Sequence, residues 1–250
     1  MTDAELAGYL AQQAGRLLIE LRSASELSGK ALGLAGDRAA NAWLIDAIRS
    51  HRPADGLLSE EEQDNTLRLT QSRVWIIDPV DGTREYGESR SDWAVHVGLA
   101  INGAPAIGAV ALPDLDLVLR TDQPNLPLLP AVNPPRMVVS RTRPALQAVA
   151  VAQALGATLV PMGSAGAKAM AVVRGAADIY LHSGGQYEWD NCAPAAVALA
   201  HGLHASRVDG SPLRYNQPDT YVPDLLICHL DYAPAVLAAV AAAEGANPPC

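Results

Sequence analysis

Asp78-Pro79-Val80-Asp81-Gly82-Thr83 follows directly on Arg73-Val74-Trp75-Ile76-Ile77, and this stretch decides the reading of the chain. A short run rich in β-branched and aromatic side chains spells a buried strand. Proline disfavours the α conformation for the residue before it, so the strand is expected to end extended on Asp78 with its carboxylate projecting. Asp81 then falls at a turn, where Gly82 frees the backbone. Two carboxylates, with the Val80 carbonyl between them, can surround a hard cation, which takes oxygen ligands. The Gly82 and Thr83 amides are placed to open a helix toward an anion. A cation and an anion grip side by side point to phosphate chemistry. An ordinary strand–turn–helix capped by aspartate would also contain D-P-x-D, but the full hexapeptide behind a Trp-Ile-Ile strand is more specific.

Other acidic groups extend the pattern. Glu60 ends a short apolar run, Leu57-Leu58, and so sits at a strand end, where a carboxylate can hold a metal or orient a water. Glu61 and Glu62 continue the charge run, and Glu62 reads as solvated. Further on, Glu188-Trp189-Asp190 precedes an apolar segment. Asp190 is expected to cap a helix over 191–201, a role compatible with offering its other oxygen to an ion. Asp37 likewise opens an expected helix running to Ile48, with N-cap as its plain reading. His51, His96, His182, His201, His204 and His229 show no HxxxH or HxxEH spacing, so they read as surface or core residues and not as zinc ligands. Gly163-Ser164-Ala165-Gly166-Ala167-Lys168 lacks the GxxxxGK[ST] register of a phosphate loop, though its small residues would let a helix N-terminus approach a ligand.

The 250 residues suffice for one large or two small domains around a continuous core. Phe is absent, so the core must be built from aliphatic residues with four Trp and seven Tyr as its large pieces. A formal charge of −9 argues against a general nucleic-acid binder, which needs a basic face. Cys192, Cys228 and Cys250 form no CxxC pair and fit free thiols in a reducing cytoplasm, with Cys192 a small packing residue. The N-terminus lacks the apolar region of a signal peptide, and no apolar run is long enough to span a membrane. Thr2 and Glu5 form a capping-box pair before a first helix, while residues 23–36 read as a loop. Strands are expected over 93–101, 106–112, 117–121, 137–140, 158–161 and 177–181, and further helices over 145–155, 165–173, 193–201 and 235–243. Residues 123–135 hold five prolines in thirteen positions. Such a segment can be neither a regular helix nor a central strand, and it reads as the joint between two lobes. The N-terminal lobe, 1–130, is α+β and carries Glu60 and the hexapeptide. The C-terminal lobe, 136–250, is α/β and carries Trp189-Asp190.

In this order, Asp37, Glu60-Glu61, Asp78 through Thr83, and Trp189-Asp190 resemble the signature of the magnesium-dependent, lithium-sensitive phosphatases. That superfamily includes inositol monophosphatases, fructose-1,6-bisphosphatases and 3′(2′),5′-bisphosphate nucleotidases. The resemblance spans nearly the whole chain. It implies a layered αβαβα sandwich and a homodimer. It implies that Glu60, Asp78 and the Val80 carbonyl hold one magnesium ion, that Asp78, Asp81 and Asp190 hold a second, and that Asp37 supports a weaker third. Glu60 and Thr83 would orient the attacking water, with Asp37 assisting, and no covalent phosphoenzyme is expected. Val138-Val139-Ser140-Arg141 and the segment from Asp209 to Asn216 resemble the CysQ-type bisphosphate nucleotidases. The resemblance gives Arg141 a second phosphate to grip, with Ser140, Gly82, Thr83, Ser164, Lys168 and Asp190 as further substrate contacts. Inositol phosphatases carry an acid shortly before W-D, whereas residues 182–187 have none and only Glu188 stands beside Trp189. Two departures stand out. Leu34-Ala35-Gly36-Asp37 replaces V-T-x-x-D, and Gly163 through Lys168 replaces a G-S-S-L-K turn. The implied activity is hydrolysis of adenosine 3′,5′-bisphosphate, or its sulfated relative, to AMP and phosphate. The rivals are an inositol or broad sugar phosphatase and a catalytically silent anion-binding protein.

Overall fold

The computed structural model describes residues 1–124 and 132–246. Most of the proline-rich joint at 123–135 lies outside the described residues, as do the tail at 247–250 and its Cys250.

Helix α1 (Asp3–Ala24) opens with the expected capping box: Thr2 N donates to Glu5 Oε2 at 2.7 Å, and Glu5 N to Thr2 Oγ1 at 3.2 Å. Its buried stripe, Leu6, Leu10, Ala14 and Leu18, has helical spacing. Helix α2 (Gly29–His51) corrects the loop expected at 23–36, because the chain is helical from Gly29 onward. Asp37 therefore lies inside this helix and is not its N-cap. The small residues that suggested a loop form a packing seam. A Cβ on Gly33 would stand 2.7 Å from Thr83 Cγ2, and one on Gly36 would stand 2.6 Å from Tyr86 Cε1. Glycine inside a helix costs about 1 kcal/mol relative to alanine, and here close approach explains it.

The first sheet comprises β1 (Gly56–Ser59), β2 (Arg73–Asp81), β3 (Ala94–Ile101), β4 (Ala104–Leu112) and β5 (Leu117–Arg120), in that spatial order. Only the β1–β2 pair is parallel. Helix α3 (Thr83–Gly87) follows β2 immediately. The second sheet comprises β6 (Arg136–Ser140), β7 (Thr158–Met162), β8 (Ile179–Tyr187), β9 (His204–Ser206) and β10 (Tyr221–Cys228), ordered β7-β6-β8-β10-β9. Helix α4 (Leu146–Leu155) and helix α7 (Ala233–Ala246) cover its outer face. Helix α5 (Ala165–Val173) and helix α6 (Glu188–Ala200) lie between the sheets and contact both. The layers run α1 and α2, first sheet, α5 and α6, second sheet, α4 and α7, which is the expected αβαβα sandwich. The central core draws Ile76 and Val110 from one sheet, Val138 and Ile227 from the other, and Met170 and Val197 from the helices between. Among the described residues no helix is long and apolar enough to cross a membrane.

Strands β9 and β10 have no counterpart in the sequence expectations, and β8 is longer than expected. Pro223 and Asp224 interrupt the apolar signal of β10. Its pairing with β8 slips in register between Val222 and Asp224, at a bulge. The buried Asp224 is satisfied by Arg207, through two bonds of 2.6 Å, and by the Val208 amide at 2.8 Å.

Candidate active site

Strand β2 does not stop at Asp78. It runs to Asp81, and its pairing with β3 slips in register between those two residues. The irregularity reorients side chains along the strand. Carboxylate oxygens of Asp78, Asp81 and Asp190 all come within 4.8 Å of one another. Asp78 and Asp81 are buried at 1% and 5% exposure. Asp190 is the third residue of α6 and not its N-cap. Its Oδ2 accepts the Tyr187 amide at 2.6 Å, which caps the helix from inside its first turn. The expected start at 191 is thus corrected to Glu188. Glu60 follows β1, whose Ser59 pairs with Ile77, so parallel registration sets it beside Asp78. Asp37 joins from α2: the Thr83 hydroxyl has Asp37 Oδ1 at 3.3 Å and Val80 O at 3.2 Å as acceptors.

Gathering this much negative charge has a price in ionisation. Burial first, then Glu61, raises Asp37 to about 7. Burial and then Asp81 raise Asp190 to about 7. Glu60, open to solvent on one side, is raised to about 8 by desolvation of its carboxyl and by Asp190 and Asp37. Burial and then Glu60 push Asp78 well above the usual carboxylate range. Asp81 goes the other way. Burial would raise it, but His96, the Gly166 amide and Lys168 hold it at about 2. Asp81 accepts from Ser164 Oγ at 2.7 Å, Ala165 N at 3.0 Å and Gly166 N at 2.5 Å, so the start of α5 wraps it with donors.

Ser164 caps α5, its Oγ also accepting the Ala167 amide at 2.9 Å. The buried Lys168 donates to Gly163 O at 2.9 Å and to Ser164 O, tying the turn below Asp81. Burial lowers its pKa against the pull of Asp81 and Glu85. Gly82 has φ 88°, a left-handed conformation that favours glycine, and an added Cβ would meet Ser164 Cβ at 2.9 Å. Ser140 and Arg141 lie at the end of β6. Ser140 Oγ accepts the Arg143 amide at 3.2 Å, and the Arg141 guanidinium bonds Glu85 and Glu88, each at 2.7 Å. The structure therefore gathers Glu60, Asp78, Val80, Asp81, Asp190, Asp37, Thr83, Ser164 and Lys168, while Arg141 attaches to the rim through Glu85 of α3 and Glu88 just beyond it.

Sequence reading overlooked His96. Its Nδ1 donates to Trp189 O at 2.9 Å, and its Nε2 sits 3.1 Å from Asp81 Oδ2, close enough for an ion pair though off the hydrogen-bond axis. Burial lowers its pKa, but Asp81 outweighs that and the ring is held above its ordinary value. The signal was the small-residue face of β3, Ala94, Gly98 and Ala100 alternating around His96, which marks a helix packed closely over it. Glu188 is accounted for as well: fully buried, it accepts the Asn216 and Gln217 amides, each at 2.7 Å.

The donor set is all oxygen, and in the raised carboxylates burial and mutual repulsion outweigh what compensating charge the protein supplies. A hard divalent cation fits both facts better than a soft, nitrogen- or sulfur-seeking one. The sequence profile of the inositol monophosphatase family matches residues 7–125 and 133–243.

The chain belongs to the inositol monophosphatase family. It is 51% identical over 238 residues to a 3′-phosphoadenosine 5′-phosphate phosphatase of Mycobacterium bovis, covering 91% of this chain and 89% of that protein. It is 28% identical over 200 residues to the 3′(2′),5′-bisphosphate nucleotidase CysQ of Escherichia coli K12, covering 75% and 81%. Among solved structures, CysQ from Bacteroides thetaiotaomicron superposes with a TM-score of 0.80 at 22% identity, over 91% of this chain and 97% of that one. Inositol monophosphatase II from Staphylococcus aureus gives 0.79 at 21% identity, over 93% of each. These likenesses establish the fold of the family member described here.

Proposed function

We propose that this protein is a magnesium-dependent phosphatase that hydrolyses the 3′-phosphate of adenosine 3′,5′-bisphosphate, or of its 5′-phosphosulfate form, giving AMP or adenosine 5′-phosphosulfate plus phosphate. The observation that carries the reading is the convergence of Asp78, Asp81 and Asp190 in a chain half-identical to a named phosphatase of that compound. Glu60, Asp78 and the Val80 carbonyl would hold one cation and Asp78, Asp81 and Asp190 a second, with Asp37 supporting a third. Bound magnesium supplies positive charge that makes water a better nucleophile and neutralises charge developing on the phosphoryl oxygens.

The chain's own residues do the rest. Glu60 accepts the proton of the attacking water. The Thr83 hydroxyl, held between Asp37 and Val80, orients that water. The Gly82 and Thr83 amides receive the phosphate oxygens. The water oxygen bonds to phosphorus as the P–O ester bond breaks, and the ribose 3′ oxygen takes a proton from solvent, to which Glu60 returns the one it accepted. Ser164 and Lys168 act by fixing the α5 turn that keeps Asp81 ionised. Arg141, beside Ser140, exchanges its Glu88 partner for the second phosphate, a bidentate exchange suited to guanidinium. The protein acts on a small phosphorylated nucleotide as a homodimer in the cytoplasm.

The test compares kcat/KM for adenosine 3′,5′-bisphosphate, inositol 1-phosphate and fructose 1,6-bisphosphate with magnesium. A preference of about a hundredfold for the nucleotide, roughly 2.7 kcal/mol, supports the reading. No preference, or one for inositol phosphate, overturns the substrate assignment.

A further inference from the structure

Five of the eleven Trp and Tyr residues of this chain are fully buried in the core. Trp75, Trp93, Tyr86, Tyr180 and Tyr215 are all at most 1% exposed. Three tyrosines are exposed, and while Tyr9, at 44%, lies beside Trp43 on the helical face, Tyr187 and Tyr221, at 45% and 44%, face each other. The two are cross-strand partners of β8 and β10, with ring centroids 6.0 Å apart and planes at 81°. Behind them the Tyr187 ring lies nearly parallel to Trp189, at 4.9 Å and 11°. The outcome is a right-angled aromatic corner, one wall of which is backed by indole.

Its position matters more than its exposure. The Tyr187 amide donates to Asp190 Oδ2 at 2.6 Å, so its side chain begins at the carboxylate cluster itself. The Trp189 carbonyl accepts from His96, whose other ring nitrogen faces Asp81. The Glu188 amide donates to Thr220 O at 2.9 Å, locking the Tyr221 strand end to the same turn. Both walls are therefore fixed by backbone bonds to groups of the site, and docking there orders little that is mobile.

We propose that this corner is the base subsite of the enzyme: the purine of the substrate stacks against Tyr187 and Tyr221 while its 3′-phosphate lies at the carboxylates. The inference rests on the nucleotide reading above. The chemistry is suited to the occupant. The cluster itself is acidic and recognises phosphate only when charge-compensated, so it offers nothing to a neutral base. A flat π surface does, since base–aromatic stacking requires no matching charge and tolerates any base. It also gives the exposed rings an apolar cover, which a solvated corner lacks. Tyr187, backed by Trp189, and Tyr221 supply the stacking that would separate a nucleotide from a sugar phosphate. The acid that inositol phosphatases carry before W-D has no counterpart here.

The experiment measures kcat and KM with magnesium for adenosine 3′,5′-bisphosphate and for glycerol 2-phosphate, a phosphomonoester without a base. In Tyr221→Ala, and separately Tyr187→Ala, the KM for the nucleotide is expected to rise on the order of 10- to 100-fold, the range that loss of one base–aromatic stack gives. The nucleotide-to-glycerol selectivity falls by the same factor, and Tyr187→Phe, which keeps the ring, restores it. An unchanged KM for the nucleotide in both alanine variants, or an equal loss on both substrates, overturns the proposal. So does a change in oligomer size with selectivity intact, which would assign the corner to subunit contact. If the unsubstituted enzyme shows no preference for the nucleotide, the functional reading fails along with it. If that preference is present and the tyrosines do not alter it, only the base subsite fails.

Discussion

Replacing Asp37 by Asn separates what the carboxylate cluster costs from what it does. Asp37 is 3% exposed, and burial followed by Glu61 raises its pKa from 3.8 to about 7. Below pH 4 the group is neutral in the folded and unfolded chain alike and costs nothing. Between pH 4 and 7 the folded protein retains a proton that the unfolded chain has released, so stability falls as pH rises. Above 7 both states are ionised and the cost is complete. A rise of this size corresponds to a ceiling of about 4 kcal/mol, at roughly 1.4 kcal/mol per pH unit. Solvent penetration and relaxation of the site bring the expectation to about 2–4 kcal/mol. Asparagine keeps an oxygen for the Thr83 hydroxyl, now at 3.3 Å, and is no worse than aspartate inside a helix. Without divalent cations, Asp37→Asn is therefore expected to be more stable than the unsubstituted protein at pH 8. The gain in melting temperature is roughly 5–15 °C, and it shrinks toward zero near pH 4. Differential scanning fluorimetry in chelator across that pH range is the assay. A variant no more stable at pH 8, or a gain that does not vary with pH, would refute the charge argument.

Three further substitutions probe the rest of the site. Asp81→Asn turns an amide NH₂ toward either the Ala165 amide on one oxygen or the Gly166 amide and Ser164 hydroxyl on the other, so phosphate release is expected to fall by at least about 1,000-fold, a loss of roughly 4 kcal/mol in barrier terms; near-normal turnover in a folded variant would remove Asp81 from the proposed metal site. Gly166→Ala should help α5 by about 1 kcal/mol on helix propensity alone, yet its Cβ would collide with His96 Nε2 and stand 3.0 Å from Asp81 Oδ2. A lowered melting temperature with activity reduced on the order of 100-fold is expected, and a raised melting temperature would show that the close approach is not limiting. Glu188→Gln sets an NH₂ against the backbone amide of Asn216 or Gln217, at a cost of about 1–3 kcal/mol; an unchanged melting temperature would mean that the loop at 216–217 does not depend on the carboxylate.

The parts of the site legible in the sequence are those carried by consecutive residues. The hexapeptide after Ile77 placed Asp78, Asp81 and Thr83 because strand, turn and helix start follow one another without interruption. Glu60 was legible from Leu57-Leu58 for the same reason. What escaped was decided by contacts between distant segments. Gly33 and Gly36 read as part of a loop because glycine weakens a helix locally, and only Thr83 and Tyr86 on the facing element make it the fitting residue. The start of α6 was placed three residues late because its cap comes from Asp190 within the helix, not from the residue preceding it. Strand β10 was hidden by Pro223 and Asp224, the second of which is tolerated only because Arg207 neutralises it. His96 carried no recognisable spacing, since its partners, Trp189 and Asp81, come from two other elements.

Asp81 differs from its neighbours in a way that bears on how the fold divides its work. Asp78 and Asp190 lie in the same cluster, but protonation is favoured on both, whereas Asp81 is held ionised at about 2 by groups that belong to the protein. Those groups come from the layer between the sheets and from the sheet beneath it: the Ser164 hydroxyl, the first amides of α5, Lys168, and His96 of β3. The Ser164 hydroxyl and the Ala165 and Gly166 amides bond Asp81 directly, and His96 lies 3.1 Å from it, so losing any of them acts on the carboxylate as well as on the packing of α5 against β3. The central layer is therefore more than filler between two sheets. One carboxylate is made anionic by the fold, and the others become fully anionic only when external positive charge arrives. A permanently ionised group gives such a charge a fixed point of attachment, and the neutralisable ones let the folded chain exist without it. A cage in which all the carboxylates were left uncompensated would strain the fold, and one in which all were compensated would have little affinity left for a cation.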